Sequence, residues 1–256
     1  MSTAKNKKKK AETQPEEATL SSNYRRLKKG DTGHVLGIDF TQNDEQRELI
    51  RLMNDNTTPV IFCTGLAGTG KTFATIVAAL DLVKIQKKYS KIFYIREPLE
   101  VGRSLGYLKG DLEDKYSVYL GGLEDNLENI HILTGLNKND MRSAFECIPP
   151  QFTRGRSFPI NSLIICDESQ NFSLETIQTL STRIGNYSKI IFLGSVNQID
   201  IRGKDREHND FIAAMSIFDK IDPRIYAHVE LVKSERSEYC RVIDEAFQKY
   251  KNENGN

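Results

Sequence analysis

The chain has 256 residues, of which 38% are hydrophobic and 28% are charged, so it is long enough for one globular domain with a sizeable core. No apolar run approaches the roughly 20 residues that a membrane-spanning helix needs, so we expect no membrane partner. The amino end is rich in lysine and lacks the apolar segment of a secretory signal. The four cysteines are scattered, which argues against a disulfide framework or a cysteine metal site and favours a cytoplasmic location.

The formal net charge of +1 hides an uneven distribution along the chain. Residues 1–30 contain nine Lys or Arg and three Glu, which makes this segment about +6 and the remainder about −5. Almost no large apolar residue precedes Leu20, so the segment cannot bury enough surface to offset the entropy of ordering. We therefore predict a disordered basic tail over residues 1–36 and one folded domain over residues 37–256. The tail is either a solubilising terminus or a nonspecific arm for nucleic acid or acidic surfaces.

From about Gly37 onward, short apolar runs alternate with amphipathic stretches. Most of the runs contain Ile, Val or Phe without polar alternation, as expected for strands that are covered on both faces. The predicted strands are 59–63, 91–95, 130–133, 162–166, 189–193 and 227–232. The predicted helices are 43–53, 71–85, 174–184, 210–218 and 235–250, and residues 97–128 are predicted as loop plus helix. This alternation predicts an α/β domain whose mainly parallel sheet is flanked by helices.

The clearest motif lies between the apolar run at 60–63 and a predicted helix, and it fits the P-loop pattern G-x-x-x-x-G-K-[ST] at every fixed position. Glycines let the backbone come close to phosphate, successive N–H groups point at the anion, and the helix start adds its positive end. We expect Lys71 to contact the outer phosphates and Thr72 to bind Mg²⁺. The predicted phosphate-binding residues are Gly65, Leu66, Ala67, Gly68, Thr69, Gly70, Lys71 and Thr72.

Polar residues follow two later strands. Asp167 and Glu168 come directly after the apolar run at 163–166, which predicts two carboxylates at the carboxyl edge of the sheet. We expect Asp167 to hold Mg²⁺ directly or through water, and Glu168 to orient the attacking water or accept its proton. Gln198 follows the strand at 189–193 and is placed to sense the γ-phosphate; an ordinary surface amide is the alternative.

Two arginines are candidates for stabilising the charge of a departing phosphoryl group, in cis or from a neighbouring subunit. They are Arg183, within S-T-R-I-G, and Arg236, within S-E-R. By residue type alone, each is also explained as an ordinary surface arginine.

Residues 137–140 read N-K-N-D and match the guanine-reading N-K-x-D pattern of GTPases. The accompanying D-x-x-G should lie between the P-loop and this motif. No Asp between Thr72 and Asn137 is followed by Gly at the third place, so we do not expect guanine specificity.

Several motifs together make the chain resemble the PhoH-like proteins, which are phosphate-starvation-type ATPases related to superfamily-one helicase cores. The most specific are R-G-R-S at 154–157, D-E-S-Q-N at 167–171 and T-R-I-G at 182–185. Further matching blocks lie at residues 64–72, 100–111 and 194–200, and the resemblance covers about residues 39–247.

The resemblance implies a single RecA-like P-loop NTPase domain that binds ATP. It places Gln46 where related helicases read adenine, gives Arg236 a role at the phosphates, and assigns Arg183 to a neighbouring subunit if the protein forms a ring such as a hexamer. The chain departs from the family pattern at Ser195, where an Asp is usual; this puts the catalytic rate in question more than nucleotide binding.

Three functions follow from these observations. The first is a Mg²⁺-dependent ATPase. The second is a helicase-like motor or remodeller acting on single-stranded RNA or DNA as a homo-oligomer. The third is a nucleotide-bound scaffold or regulatory protein with little turnover, which Ser195 makes conceivable.

Overall fold

The structure is a computed structural model that describes residues 33–98, 116–195 and 209–254. Its strands are β1 His34–Val35, β2 Ile38–Asp39, β3 Val60–Gly65, β4 Lys91–Arg96, β5 Phe145–Ile148, β6 Ser162–Asp167, β7 Lys189–Gly194 and β8 Tyr226–Leu231. Its helices are α1 Asp44–Asn54, α2 Lys71–Leu80, α3 Gly121–Thr134, α4 Lys138–Arg142, α5 Leu174–Ser181, α6 Asp210–Phe218 and α7 Glu238–Asn254. A π-helical turn, Asp81–Ile85, continues α2.

Six strands form one parallel sheet in the order β5-β4-β6-β7-β3-β8, so their carboxyl ends meet at a single edge. The phosphate-loop strand β3 lies between β7 and β8, and β7 separates it from β6, which carries the acids. The two faces of the sheet bury separate apolar clusters, because successive side chains of a strand point to opposite faces. Ile61 packs with α1, α2 and α3, whereas Phe62 packs with α5 and α6. The predicted α/β class with a mainly parallel, helix-flanked sheet is confirmed.

Local sequence signals set where several helices begin. The Asn43 side chain accepts a hydrogen bond from the backbone N–H of Gln46 and caps α1. Ser173 caps α5 through Thr176, and Asn209 caps α6. None of the helices in the described part of the chain is long and apolar enough to cross a membrane.

One strand prediction is wrong. Residues 130–133 belong to α3, whose buried side chains Leu123, Leu127 and Ile130 recur at helical spacing. Ile132 and Leu133 face solvent although they are apolar. Because they follow the buried Ile130, the sequence shows a short apolar run that resembles a buried strand. The edge strand β5 was missed, since it has only four residues and contains Glu146.

A small antiparallel hairpin formed by β1 and β2 opens the first described segment of the chain. Val35 and Leu36 are buried in the core beside α1 and α2, so the folded part begins before the boundary that we placed after residue 36. Residues 1–32 of the predicted tail lie outside the described residues.

Candidate functional site

The P-loop connects the end of β3 to the start of α2 at the carboxyl edge of the sheet. Gly68 and Gly70 have φ of +81° and +78°, in the left-handed region that favours glycine. A Cβ on Gly68 would lie 2.2 Å from Arg236 Nε, and one on Gly70 would lie 2.4 Å from Gln46 Nε2. The two glycines are therefore needed for the backbone conformation and also for the close approach of two side chains.

Lys71 begins α2 and curls back over the loop. Its Nζ donates hydrogen bonds to the carbonyl oxygens of Gly65, at 2.8 Å, and Leu66, at 2.9 Å. Burial lowers the pKa of Lys71, and the nearby carboxylates of Asp167 and Glu168 oppose this shift. The ammonium group is thus held at the mouth of the loop, where it faces both carboxylates.

Asp167 joins the P-loop helix to the strand β4. Its Oδ1 accepts a hydrogen bond from Thr72 Oγ1 at 3.0 Å. Its Oδ2 accepts from the Tyr94 hydroxyl at 2.5 Å and from Arg96 Nη1 at 3.3 Å. Burial and the neighbouring Asp167 raise the pKa of Tyr94 well above its usual value, so the phenol stays protonated and donates. The carboxylate is therefore fixed, with one oxygen turned toward Thr72.

Glu168 has φ of +52°, an unusual conformation for a residue with a side chain, and such strain is concentrated at functional sites. Its Oε2 accepts a hydrogen bond from Gln170 Nε2 at 2.6 Å. The other end of the same amide, Gln170 Oε1, accepts from the backbone N–H of Ser195 at 3.1 Å. Gln170 is 3% exposed and so forms a buried bridge from the acid after β6 to the residue after β7.

The segment after β8 folds over the P-loop. The backbone N–H of Glu235 donates to Gly68 O at 2.8 Å, and Asn43 Nδ2 donates to Glu235 Oε1 at 2.6 Å. Arg236 follows directly, with its side chain against Gly68. Gln46 is buried and donates through Nε2 to Thr69 O at 3.0 Å. Gln46 and Arg236, far apart in sequence, therefore both contact the phosphate loop.

These groups surround a cleft of about 290 Å³. Glycine backbone, an ammonium group, a threonine hydroxyl and two carboxylates line it, which is the donor set expected for a phosphate chain with a divalent cation. The lining residues are Ala67, Gly68, Gly70, Lys71, Thr72, Phe73, Asn126, Asp167, Glu168, Leu193 and Gly194.

One predicted catalytic residue, Arg183, does not join this cluster. Arg183 follows α5, and its Nη1 donates to the carbonyl oxygen of Arg156 at 3.0 Å. Its own carbonyl accepts from the backbone N–H of Phe158. These contacts lie in the connection that leads to the amino end of β6, away from the P-loop. Gln198 lies outside the described residues.

The N-K-N-D segment has a structural explanation. Asn137 caps α4 by accepting from the backbone N–H of Asp140 at 3.0 Å. Lys138 pairs with Glu128, and Asp140 pairs with Lys84 beyond the far end of α2. The motif order had already argued against guanine recognition, and the segment contributes no residue to the lining of the cleft.

Sequence reasoning missed Tyr94, Arg96 and Gln170, which contact the two carboxylates. Gln170 was recognised only as part of the D-E-S-Q-N motif, and Arg96 was not among the predicted site residues. The sequence did contain a signal for Arg96. It is a charged residue at the carboxyl end of the mostly apolar run K-I-F-Y-I-R, where residues at the edge of a parallel sheet face a site.

A parallel sheet with a P-loop after one strand and paired acids after another defines the P-loop NTPase class of fold. The profile of the family described as "PhoH-like protein" matches residues 40–248, and the chain therefore belongs to the PhoH-like family.

Two curated relatives agree with this assignment. The chain is 32% identical to Protein PhoH2 of Bacillus subtilis over 217 residues, covering 81% of this chain and 47% of that protein. It is 31% identical to a PhoH-like protein of Mycobacterium tuberculosis over 205 residues, covering 80% and 56%. The chain thus spans about half the length of the curated relatives it matches. A solved structure of C. elegans PCH-2 overlaps at a TM-score of 0.31 and 16% identity, covering 82% of this chain and 48% of that one.

Proposed function

We propose that this protein hydrolyses ATP with Mg²⁺ and acts together with single-stranded RNA or DNA. The observation that carries the proposal is the 3.0 Å hydrogen bond between Thr72 Oγ1 and Asp167 Oδ1. It brings the hydroxyl that ends the P-loop motif next to the acid that ends β6, and these are the two oxygen ligands that a phosphate-bound Mg²⁺ needs from a protein.

The P-loop binds the triphosphate of ATP. Backbone N–H groups of residues 66–72 and the amino end of α2 favour the triphosphate anion. Lys71 adds a compact positive charge on the outer phosphates, and Arg236 adds a second one next to Gly68. Thr72 and Asp167 hold Mg²⁺, which when bound neutralises charge that develops on the phosphate oxygens. Tyr94 and Arg96 hold Asp167 in the orientation that leaves Oδ1 on the side of Thr72.

Hydrolysis is the task of Glu168. Its carboxylate lines the cleft and orients the attacking water or accepts its proton. Gln170 fixes the position of that carboxylate through a 2.6 Å hydrogen bond. Gln198 senses the γ-phosphate, as the sequence pattern indicates. Gln46 acts near the adenine side of the site, which its contact with Thr69 at the base of the loop supports.

We also propose that the protein works as a homo-oligomer that forms a ring. Arg183 makes its contacts at residues 156 and 158, remote from its own P-loop. An arginine in that position serves hydrolysis only at the site of a neighbouring copy. Sedimentation with and without ATP tests this, and a protein that stays monomeric with ATP contradicts it.

The decisive experiment measures phosphate release from ATP by the wild type, Lys71→Ala and Glu168→Gln, alone and with single-stranded RNA or single-stranded DNA. We expect both variants to lose most of the activity while Glu168→Gln still binds ATP. Equal rates in all three proteins would refute the proposal. Tight ATP binding with negligible turnover by the wild type would instead support a nucleotide-bound scaffold, and unchanged turnover with RNA or DNA would contradict the nucleic-acid partner.

A further inference from the structure

A second cleft, of about 490 Å³, lies at the opposite edge of the sheet from the P-loop. Lys91 begins β4, Ala144 precedes β5 and Asn161 precedes β6, so the cleft is formed at the amino ends of these strands. Its lining residues are Val83, Lys84, Lys87, Lys88, Tyr89, Ser90, Lys91, Ser143, Ala144 and Asn161. Neither the nucleotide site nor its proposed chemistry uses any of them.

The side chains that line this cleft carry positive charge. Four of its lining residues are lysines, and among the described residues that line it there is no acid. Lys84 pairs with Asp140 and Lys91 pairs with Glu146, both just outside the lining. Lys87 is exposed, and among the described residues it has neither a hydrogen-bond nor an ion-pair partner.

Lys88 is held differently, since its Nζ donates to the carbonyl oxygens of Asn54, at 2.6 Å, and Asp55, at 3.4 Å, which leaves one donor for another acceptor. The cleft thus keeps a net positive charge after its internal ion pairs are counted, and a surface of this kind attracts polyanions.

The positive surface continues beyond the cleft, and an exposed aromatic residue follows in sequence a residue that is hydrogen-bonded to the cleft lining. Glu146 is shared between Lys91 and Arg156, so Arg156 extends the basic surface along the edge strand. The backbone N–H of Asn161 donates to the carbonyl oxygen of Asn186, which places the next residue, Tyr187, beside the cleft wall. The Tyr187 side chain is 84% exposed.

We infer that this cleft binds a single strand of nucleic acid, with the lysines on the sugar-phosphate backbone and the Tyr187 ring stacked on a base. A positively charged groove combined with an exposed aromatic ring is the arrangement that binds single strands without reading their sequence. An acidic peptide would use the lysines equally well but would gain little from the aromatic ring. The inference rests on the proposed nucleic-acid partner and adds where on the molecule that partner binds.

The test measures binding of a fluorescein-labelled 20-mer of uridine by anisotropy, with the complete chain and without nucleotide. Lys87→Glu should weaken binding and reduce the slope of log affinity against log salt by about one, because one phosphate contact is lost. Tyr187→Ala should weaken binding by about tenfold, as expected for the loss of one stacked base. The matched control is Lys220→Glu, which makes the same charge change at an exposed lysine beyond α6, near β8 at the other end of the sheet.

Each outcome decides one point. If Lys87→Glu and Lys220→Glu bind the strand equally tightly, the cleft is not the site. If Lys87→Glu weakens binding but Tyr187→Ala does not, the cleft is a general anion site and the assignment to a nucleic-acid strand is wrong. If the wild type does not bind the strand at all, the nucleic-acid partner itself is refuted. ATP turnover without RNA, measured on the same variants, is expected to stay at the wild-type rate. A failure of the hydrolysis proposal is thereby distinguished from a failure of the proposal that the cleft binds nucleic acid.

Discussion

The buried amide of Gln170 connects the proposed catalytic carboxylate to the end of the neighbouring strand, and its removal gives a sharp prediction. Gln170→Leu keeps the approximate size of the side chain but breaks the bonds to Glu168 Oε2 and to the N–H of Ser195. A hydrogen bond to a charged group contributes about 1.5–3 kcal/mol, and a buried N–H left without an acceptor costs about 1–3 kcal/mol. Glu168 has a side chain that is 39% exposed, so we take the lower end of the first range.

We therefore expect Gln170→Leu to lower the free energy of unfolding by about 3 kcal/mol. The proposed role of Glu168 adds an expectation for catalysis. A positioned general base accelerates a reaction about 10²–10⁴-fold. If Glu168 is no longer held in place, we expect kcat to fall about tenfold. Affinity for ATP should stay close to that of the wild type, because Gln170 does not line the nucleotide cleft.

The assays are urea denaturation, steady-state ATP turnover and equilibrium ATP binding, all compared with Gln178→Leu. Gln178 is exposed on α5, so the same substitution there should leave stability and turnover nearly unchanged. A Gln170→Leu protein with wild-type kcat would refute the positioning role. A loss of turnover that merely parallels a loss of ATP affinity would refute it as well.

Three further predictions concern the loop and the core. Gly65→Ala should cost at least about 2 kcal/mol in urea denaturation, because the new Cβ would lie 2.2 Å from the backbone oxygen of Leu231; an unchanged midpoint contradicts this. Arg236→Ala should weaken ATP binding by about tenfold in calorimetry, since its side chain lies on Gly68; an unchanged affinity contradicts this. Burial lowers the pKa of Lys189 from 10.5 to about 7, whereas an unfolded lysine stays protonated to about pH 10. Between about pH 7 and 10 the unfolded state therefore binds more protons than the folded state, so the free energy of unfolding of the wild type should rise with pH over this range. Lys189→Met should flatten this rise, and parallel curves of stability against pH for the two proteins would contradict the prediction.

Local patterns predicted the strands of the sheet and the P-loop because their signals are contained in short stretches of sequence. Residues 59–63, 162–166 and 189–193 are apolar except for Ser162 and Lys189, and the structure makes all three buried central strands. The prediction for segment 130–133 failed because its helical partners, Leu127 and Leu123, lie one and two turns earlier and were not combined with it.

The supporting groups of the site could not be predicted in the same way. Tyr94 and Arg96 reach Asp167 only because β4 pairs with β6 in a register that places Arg96 beside Asp167. Gln170 becomes a bridge only because Ser195 follows the adjacent strand β7. These contacts depend on strand order, which a single sequence does not contain.

The most direct measurement is calorimetric titration of ATP into the wild type, Lys71→Ala and Asp167→Asn, each with Mg²⁺ and with a chelator. We predict binding to the wild type that strengthens with Mg²⁺, loss of most of the affinity in Lys71→Ala, and loss of the Mg²⁺ effect in Asp167→Asn. Absence of ATP binding to the wild type, or equal affinities of the wild type and Lys71→Ala, would contradict the proposal that residues 65–72 bind the phosphates while Asp167 holds the Mg²⁺.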